Sequence, residues 1–208
     1  MTQTTLVDAI RTIYGNGSIP LHRPVFAGDE KARLMECIDS NFVSSAGALI
    51  VEFESQVAAV TGTRHAVATV NGTAGIQVAL RVAGVEPGDE VITQALTFVA
   101  TANAVAYTGA EPVFVDVDED TLGLSPVALE QFLADVVEPT SGSGSAAESA
   151  GVINRLTGRR IAAVLPMHTF GHPARIGAIA EICERYGLPL VEDAAEALGS
   201  WVEGVGGT

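Results

Sequence analysis

Residues 90–116 read EVITQALTFVATANAVAYTGAEPVFVD. Glu90–Thr93 and Pro112–Asp116 are short runs rich in Val, Ile and Phe. They suit strands buried on both faces, where side chains on either side meet apolar neighbours. Between them, Phe98–Tyr107 has the length and composition of a helix. Strand, helix, strand in that order is a crossover unit, which makes its two strands parallel.

The same alternation extends in both directions. Upstream, a predicted strand Ala66–Val70 precedes a helix Thr73–Ala83. Downstream come a helix Pro126–Ala134, a strand Ile161–Leu165, a helix Ile176–Tyr186 and a strand Pro189–Glu192. The pattern predicts an α/β protein: a three-layer αβα sandwich around a mostly parallel sheet. Two earlier helices, Asp29–Asn41 and Leu49–Val60, flank the small-residue loop Ser44-Ser45-Ala46-Gly47. They define an N-terminal helical segment, 1–60, before a larger domain, 61–208. Glu138–Gly151 reads EPTSGSGSAAESAG, a polar low-complexity stretch expected to be a flexible surface insertion within that domain.

Composition narrows the partners. With 25 acids against 11 bases the formal charge is −14, a field that repels nucleic acid and anionic membrane surfaces. A small anion remains bindable, because backbone amides act locally. Cys37 and Cys183 fall in predicted helices without metal-ligand spacing and read as buried, reduced thiols. No apolar run reaches membrane-spanning length, and Met1–Ile10 has no signal-peptide pattern, so a cytoplasmic location is expected.

In open α/β sheets ligands sit beyond the carboxyl ends of the strands. After the first predicted strand, Asn71-Gly72-Thr73-Ala74-Gly75 opens a helix. Gly72 would let a ligand approach the backbone, and free amides at Thr73 and Ala74 would favour phosphate. An ordinary strand-to-helix turn fits the same residues. After the second strand stands Phe98, either a platform for a flat ring or a core residue. Beyond the fourth, Met167-His168-Thr169-Phe170-Gly171-His172-Pro173 carries two histidines that face substrate or serve structure. No third ligand is spaced to make a metal site with them. After the fifth comes Asp193, a natural partner for a protonated pyridine nitrogen or else a helix cap. The glycine-rich dinucleotide and P-loop fingerprints are absent.

Taken together these residues resemble the DegT/DnrJ/EryC1/StrS sugar aminotransferases. The likeness runs from about Ile19 to Thr208. It is carried by Asn71-Gly72-Thr73-Ala74, Pro87–Ile92, Thr97–Asn103, Gly109–Asp116 and Glu192–Ser200. It implies the incomplete large domain of a fold type I enzyme, pyridoxal phosphate as cofactor, and a homodimer with sites at the subunit interface, near Ser44–Gly47. It also implies that Gly72, Thr73 and Ala74 hold the phosphate, Phe98 stacks on the ring and Asp193 pairs with its nitrogen, with Glu196 beside them where many relatives have His or Gln. A nucleotide sugar and an amino donor such as glutamate are the implied substrates.

Pro20-Leu21-His22, Phe42-Val43-Ser44-Ser45, the His168–His172 segment and Glu196 resemble a narrower branch acting on UDP-4-keto-6-deoxy-N-acetylglucosamine. In that branch His168 and His172 would face substrate. The family's cofactor-bearing lysine lies shortly beyond the segment matching Gly206-Gly207-Thr208, and the single lysine of this chain is Lys31. No catalytic residue is therefore assigned within these 208 residues. Alternatives to an aminotransferase fragment are a non-catalytic binder of cofactor or nucleotide sugar, and an inactive gene fragment.

Overall fold

The computed structural model describes residues 3–20, 23–44, 46–137 and 151–201. The chain divides into two compact units, Met1–Ala48 and Leu49–Thr208. The boundary therefore precedes the expected one, and residues 49–60 belong with the larger unit. The first unit holds α1 (Gln3–Tyr14), which the sequence reading did not anticipate, and α2 (Glu30–Asp39), which buries no residue.

The larger unit begins with α3, which starts at the boundary (Ala48–Thr61), followed by α4 (Gly72–Val82), β1 (Glu90–Gln94), α5 (Val99–Tyr107) and β2 (Glu111–Val115). Then come α6 (Pro126–Val136), β3 (Val152–Ile153), β4 (Arg160–Val164), a 3-10 turn at Thr169–Gly171 and α7 (Ile176–Tyr186). Local chemistry sets several of these ends. Ser125 caps α6 by accepting the amide of Ala128, with Pro126 at the first helical position. Gly187, at φ 64°, ends α7 and lets the amide of Leu188 reach the carbonyl of Cys183.

The sheet order is β2-β1-β4-β3. β1 lies parallel to β2 and β4, and only the short β3 runs antiparallel, against the start of β4. Successive side chains of one strand point to opposite faces, so a sheet covered on both sides has two cores. Val91 and Ala163 join Leu80 of α4 and Val105 of α5 on one side. Ile92 and Val164 join Leu129 and Leu133 of α6 and Ile179 and Ile182 of α7 on the other. Each such buried Val, Leu or Ile side chain contributes about 1.5–3 kcal/mol relative to exposure. The three-layer αβα sandwich expected from the sequence is the architecture found.

Two predicted strands behave differently. Ala66–Val70 is not a strand. The amide of Ala68 donates to the Glu54 carboxylate at 2.8 Å, and Val67 and Val70 are exposed. Apolar residues make a strand only when a neighbour supplies a ladder, and none of the described residues does so here. Pro189–Glu192 runs beside the end of β4 through single bridges: Val164 donates to Pro189 and Val191 to Val164. It extends the parallel arrangement without forming a full ladder. The expected insertion, 138–151, lies outside the described residues except for Gly151.

At the amino-terminal edge of the sheet Arg160 grips Asp89 with Nε at 3.1 Å and Nη2 at 2.6 Å, and Nη2 also meets the carbonyl of Gly84. The Asp89 hydrogen bond raises the Arg160 pKa above its ordinary value. This fork ties the start of β4 to the turn before β1. The carboxyl-terminal edge is where the loops open.

Candidate active site

Asn71, in extended conformation, caps α4: its Oδ1 accepts the amide of Ala74 at 2.8 Å. The amide of Ala74 is therefore not free, contrary to the sequence expectation. Asn71 competes for it because an N-cap side chain reaches the third helical amide. The amides of Gly72 and Thr73 have no acceptor among the described residues. A Cβ built on Gly72 meets nothing within 4 Å, so packing does not explain the missing side chain. Gly75 differs, since its Cβ would stand 3.1 Å from Thr69 Oγ1. The helix opening thus offers two unpaired donors and an open approach, which is the chemistry a phosphate needs.

Phe98 is the N-cap residue of α5 and is 68% exposed, not part of the core. A groove of about 470 Å³ runs between α4 and α5. Asn71, Thr73 and Ala74 line one wall and Phe98 and Asn103 the other. Gln77 bridges the helices by donating to the carbonyl of Tyr107 at 3.1 Å.

Asp193, by contrast, is buried and does not line that groove. Its backbone bonds to Pro166 and His168, which places it beyond the end of β4. Its Oδ2 accepts the hydroxyl of Thr101, on α5, at 2.7 Å, and its Oδ1 accepts the amide of Ala195 at 3.3 Å. The second bond caps the local turn; the first ties Asp193 to the helix that begins at Phe98.

The two histidines part company. His168 is buried, accepting the amide of Ala174 on Nδ1 at 3.1 Å and meeting Glu192 Oε2 with Nε2 at 3.0 Å. His172 is exposed, as is Glu196 in the neighbouring loop. Gln94, fully buried at the end of β1, holds the histidine loop. Its amide donates to the carbonyl of Met167 at 2.9 Å and accepts the amides of Met167 and Leu124. The sequence reading assigned no role to Gln94, Thr97 or Thr101. The spacing of Thr97 and Thr101, one helical turn apart, was the available signal. Lys31 is exposed on α2, in the other unit.

A parallel sheet with a phosphate-competent helix opening, an exposed aromatic and a buried carboxylate at its carboxyl edge defines a class of cofactor-binding α/β domains. Residues 25–208 match the model of the DegT/DnrJ/EryC1/StrS aminotransferase family, and the chain belongs to that family. It is 36% identical over 186 residues to the GDP-perosamine synthase of Caulobacter vibrioides, covering 89% of this chain and 44% of that protein. The crystal structure of DesI in the presence of its TDP-sugar product superposes with a TM-score of 0.66 at 37% identity, over 84% of this chain and 38% of the other. NtdA from Bacillus subtilis, solved with bound cofactor PMP, gives a TM-score of 0.66 at 28% identity, over 82% of this chain and 34% of that one. The chain thus spans less than half the length of these relatives.

Proposed function

We propose that the full protein is a pyridoxal phosphate-dependent aminotransferase that passes an amino group from a donor such as glutamate to a nucleotide-linked 4-keto-6-deoxy sugar. One observation carries this reading. The groove joins the Thr73–Ala74 turn to Phe98, while the helix that starts at Phe98 holds Asp193 through Thr101. When bound, pyridoxal phosphate supplies an electron sink and a carrier for the amino group.

The residues divide the remaining work. The amides of Gly72 and Thr73 and the opening of α4 hold the phosphate, with Ala74 against it. Phe98, exposed on the groove, covers one face of the ring. Asp193 accepts the ring N–H. Two unit charges 4 Å apart attract by about 4 kcal/mol at an effective dielectric near 20, enough to keep a pyridine protonated near neutral pH. Glu196 and His172, both exposed beside this edge, meet the substrate or the outer side of the cofactor. His168 acts through the loop, since both its ring nitrogens are engaged.

The sequence motifs favour the UDP-linked N-acetylglucosamine derivative, whereas relatives are named for a GDP sugar and were solved with a TDP sugar. The deciding experiment incubates the full-length protein with glutamate, pyridoxal phosphate and each of the UDP-, GDP- and TDP-linked 4-keto-6-deoxy sugars. Sugar amine and 2-oxoglutarate are measured by mass spectrometry. Preference for the UDP substrate is expected. Preference for another nucleotide overturns that choice alone, and no amination with any of them overturns the aminotransferase reading.

A further inference from the structure

Thr101 is fully buried in the first turn of the α5 helix and Asp193 is 5% exposed. Thr101 Oγ1 lies 2.7 Å from Asp193 Oδ2 and 2.6 Å from Thr97 Oγ1. A carboxylate only accepts hydrogen bonds, and a hydroxyl has one proton to give. The proton of Thr101 therefore goes to Asp193, and Thr97 must donate to Thr101. A helical threonine commonly turns its hydroxyl back to the carbonyl one turn earlier. Here that hydroxyl leaves the helix for a residue 92 positions away.

We infer that Thr97 and Thr101 are positioning residues: a two-hydroxyl chain that sets the plane of the Asp193 carboxylate to receive a pyridine N–H. This rests on the proposed pairing of Asp193 with the cofactor ring. The carboxylate has two donors on two oxygens, Thr101 from α5 and the amide of Ala195 from its own loop. Together they restrict rotation about the Cβ–Cγ bond and leave further lone pairs for a ligand. The amide of Thr101 also donates to the carbonyl of Phe98 at 3.0 Å. One turn of helix thereby sets the aromatic platform and the carboxylate in a common register.

The test is made on the full-length protein with pyridoxamine 5′-phosphate and its 1-deaza analogue, which lacks the ring nitrogen. Dissociation constants are measured for the parent protein, Thr101→Val, Thr101→Ser and Asp193→Asn. Loss of a hydrogen bond to a charged group predicts that Thr101→Val weakens pyridoxamine phosphate by about tenfold, leaves the analogue unchanged, and is rescued in Thr101→Ser. Equal weakening of both ligands, or no weakening, overturns the inference and leaves Thr101 a packing residue. If Asp193→Asn changes the ratio of the two affinities while Thr101→Val does not, only the positioning role falls. If Asp193→Asn leaves the ratio unchanged, the pairing of Asp193 with the ring falls first. Thr97→Val, at a half-buried site, gives the same selective loss at smaller size and carries the test should Thr101→Val fail to fold.

Discussion

A Cβ on Gly171 would stand 2.5 Å from the carbonyl oxygen of Glu196. The histidine loop and the loop after Asp193 therefore touch backbone to backbone, and Ser200 Oγ reinforces the contact by donating to the carbonyl of Gly171 at 2.8 Å. Glycine is required twice over, since φ at this position is +76°. Substitution Gly171→Ala should lower unfolding free energy by roughly 2 kcal/mol or more, as buried steric conflicts do. Urea denaturation measures it, and a variant as stable as the parent would refute the contact.

Asn71 allows stability and ligand binding to be separated. Aspartate is as good an N-cap as asparagine, so Asn71→Asp should leave the melting temperature nearly unchanged. It places a negative charge beside the amides of Gly72 and Thr73, where repulsion of order 1 kcal/mol or more is expected for a phosphate. Affinity for pyridoxamine 5′-phosphate should fall at least about fivefold by this reasoning. Unchanged affinity would place the phosphate elsewhere.

The partners of His168 dictate its tautomer. Nδ1 accepts a backbone amide proton from Ala174, so the ring proton sits on Nε2 and is donated to Glu192. Nitrogen-15 NMR of the neutral ring should show a protonated Nε2 and a bare Nδ1. The opposite pattern would release His168 from the loop and return it to the substrate side.

Burial pushes the Cys183 thiol up to about 11, from an ordinary value of 9.0. A folded-state pKa above the unfolded one stabilises the fold fully below the unfolded pKa and ceases to do so as pH rises through the folded value. Stability should therefore decline between about pH 9 and pH 11, and Cys183→Ala should decline less over that window. At pH 8 iodoacetamide should label Cys37, which is half-buried, and spare Cys183 until the protein is unfolded. Rapid modification of both thiols in the folded protein would contradict the buried site.

Apart from α1, the helices were legible because their signals are local. The expected helix Pro126–Ala134 ends within two residues of the observed limit of α6, and Ile176–Tyr186 coincides with α7. The strands of the crossover unit, β1 and β2, were legible for the same reason. So were the family motifs, which are runs of adjacent residues.

The amino-acid sequence by itself determined the α/β alternation and membership of the family, both of which follow from periodicity and contiguous motifs. The burial on both faces expected of the strands holds for β1 and β4 but not for β2, which lies at the sheet edge with Phe114 51% exposed. Tertiary structure alone decided which polar groups find one another. Ala66–Val70 looks like a strand but makes no ladder, because pairing depends on a neighbour that periodicity does not reveal. The Ala74 amide is taken by Asn71, the hydroxyl of Thr101 is spent on Asp193, and the ring of His168 is committed to Ala174 and Glu192. The physical reason is that a hydrogen bond depends on distance and angle in space, and the bond between Thr101 and Asp193 joins residues 92 apart along the chain.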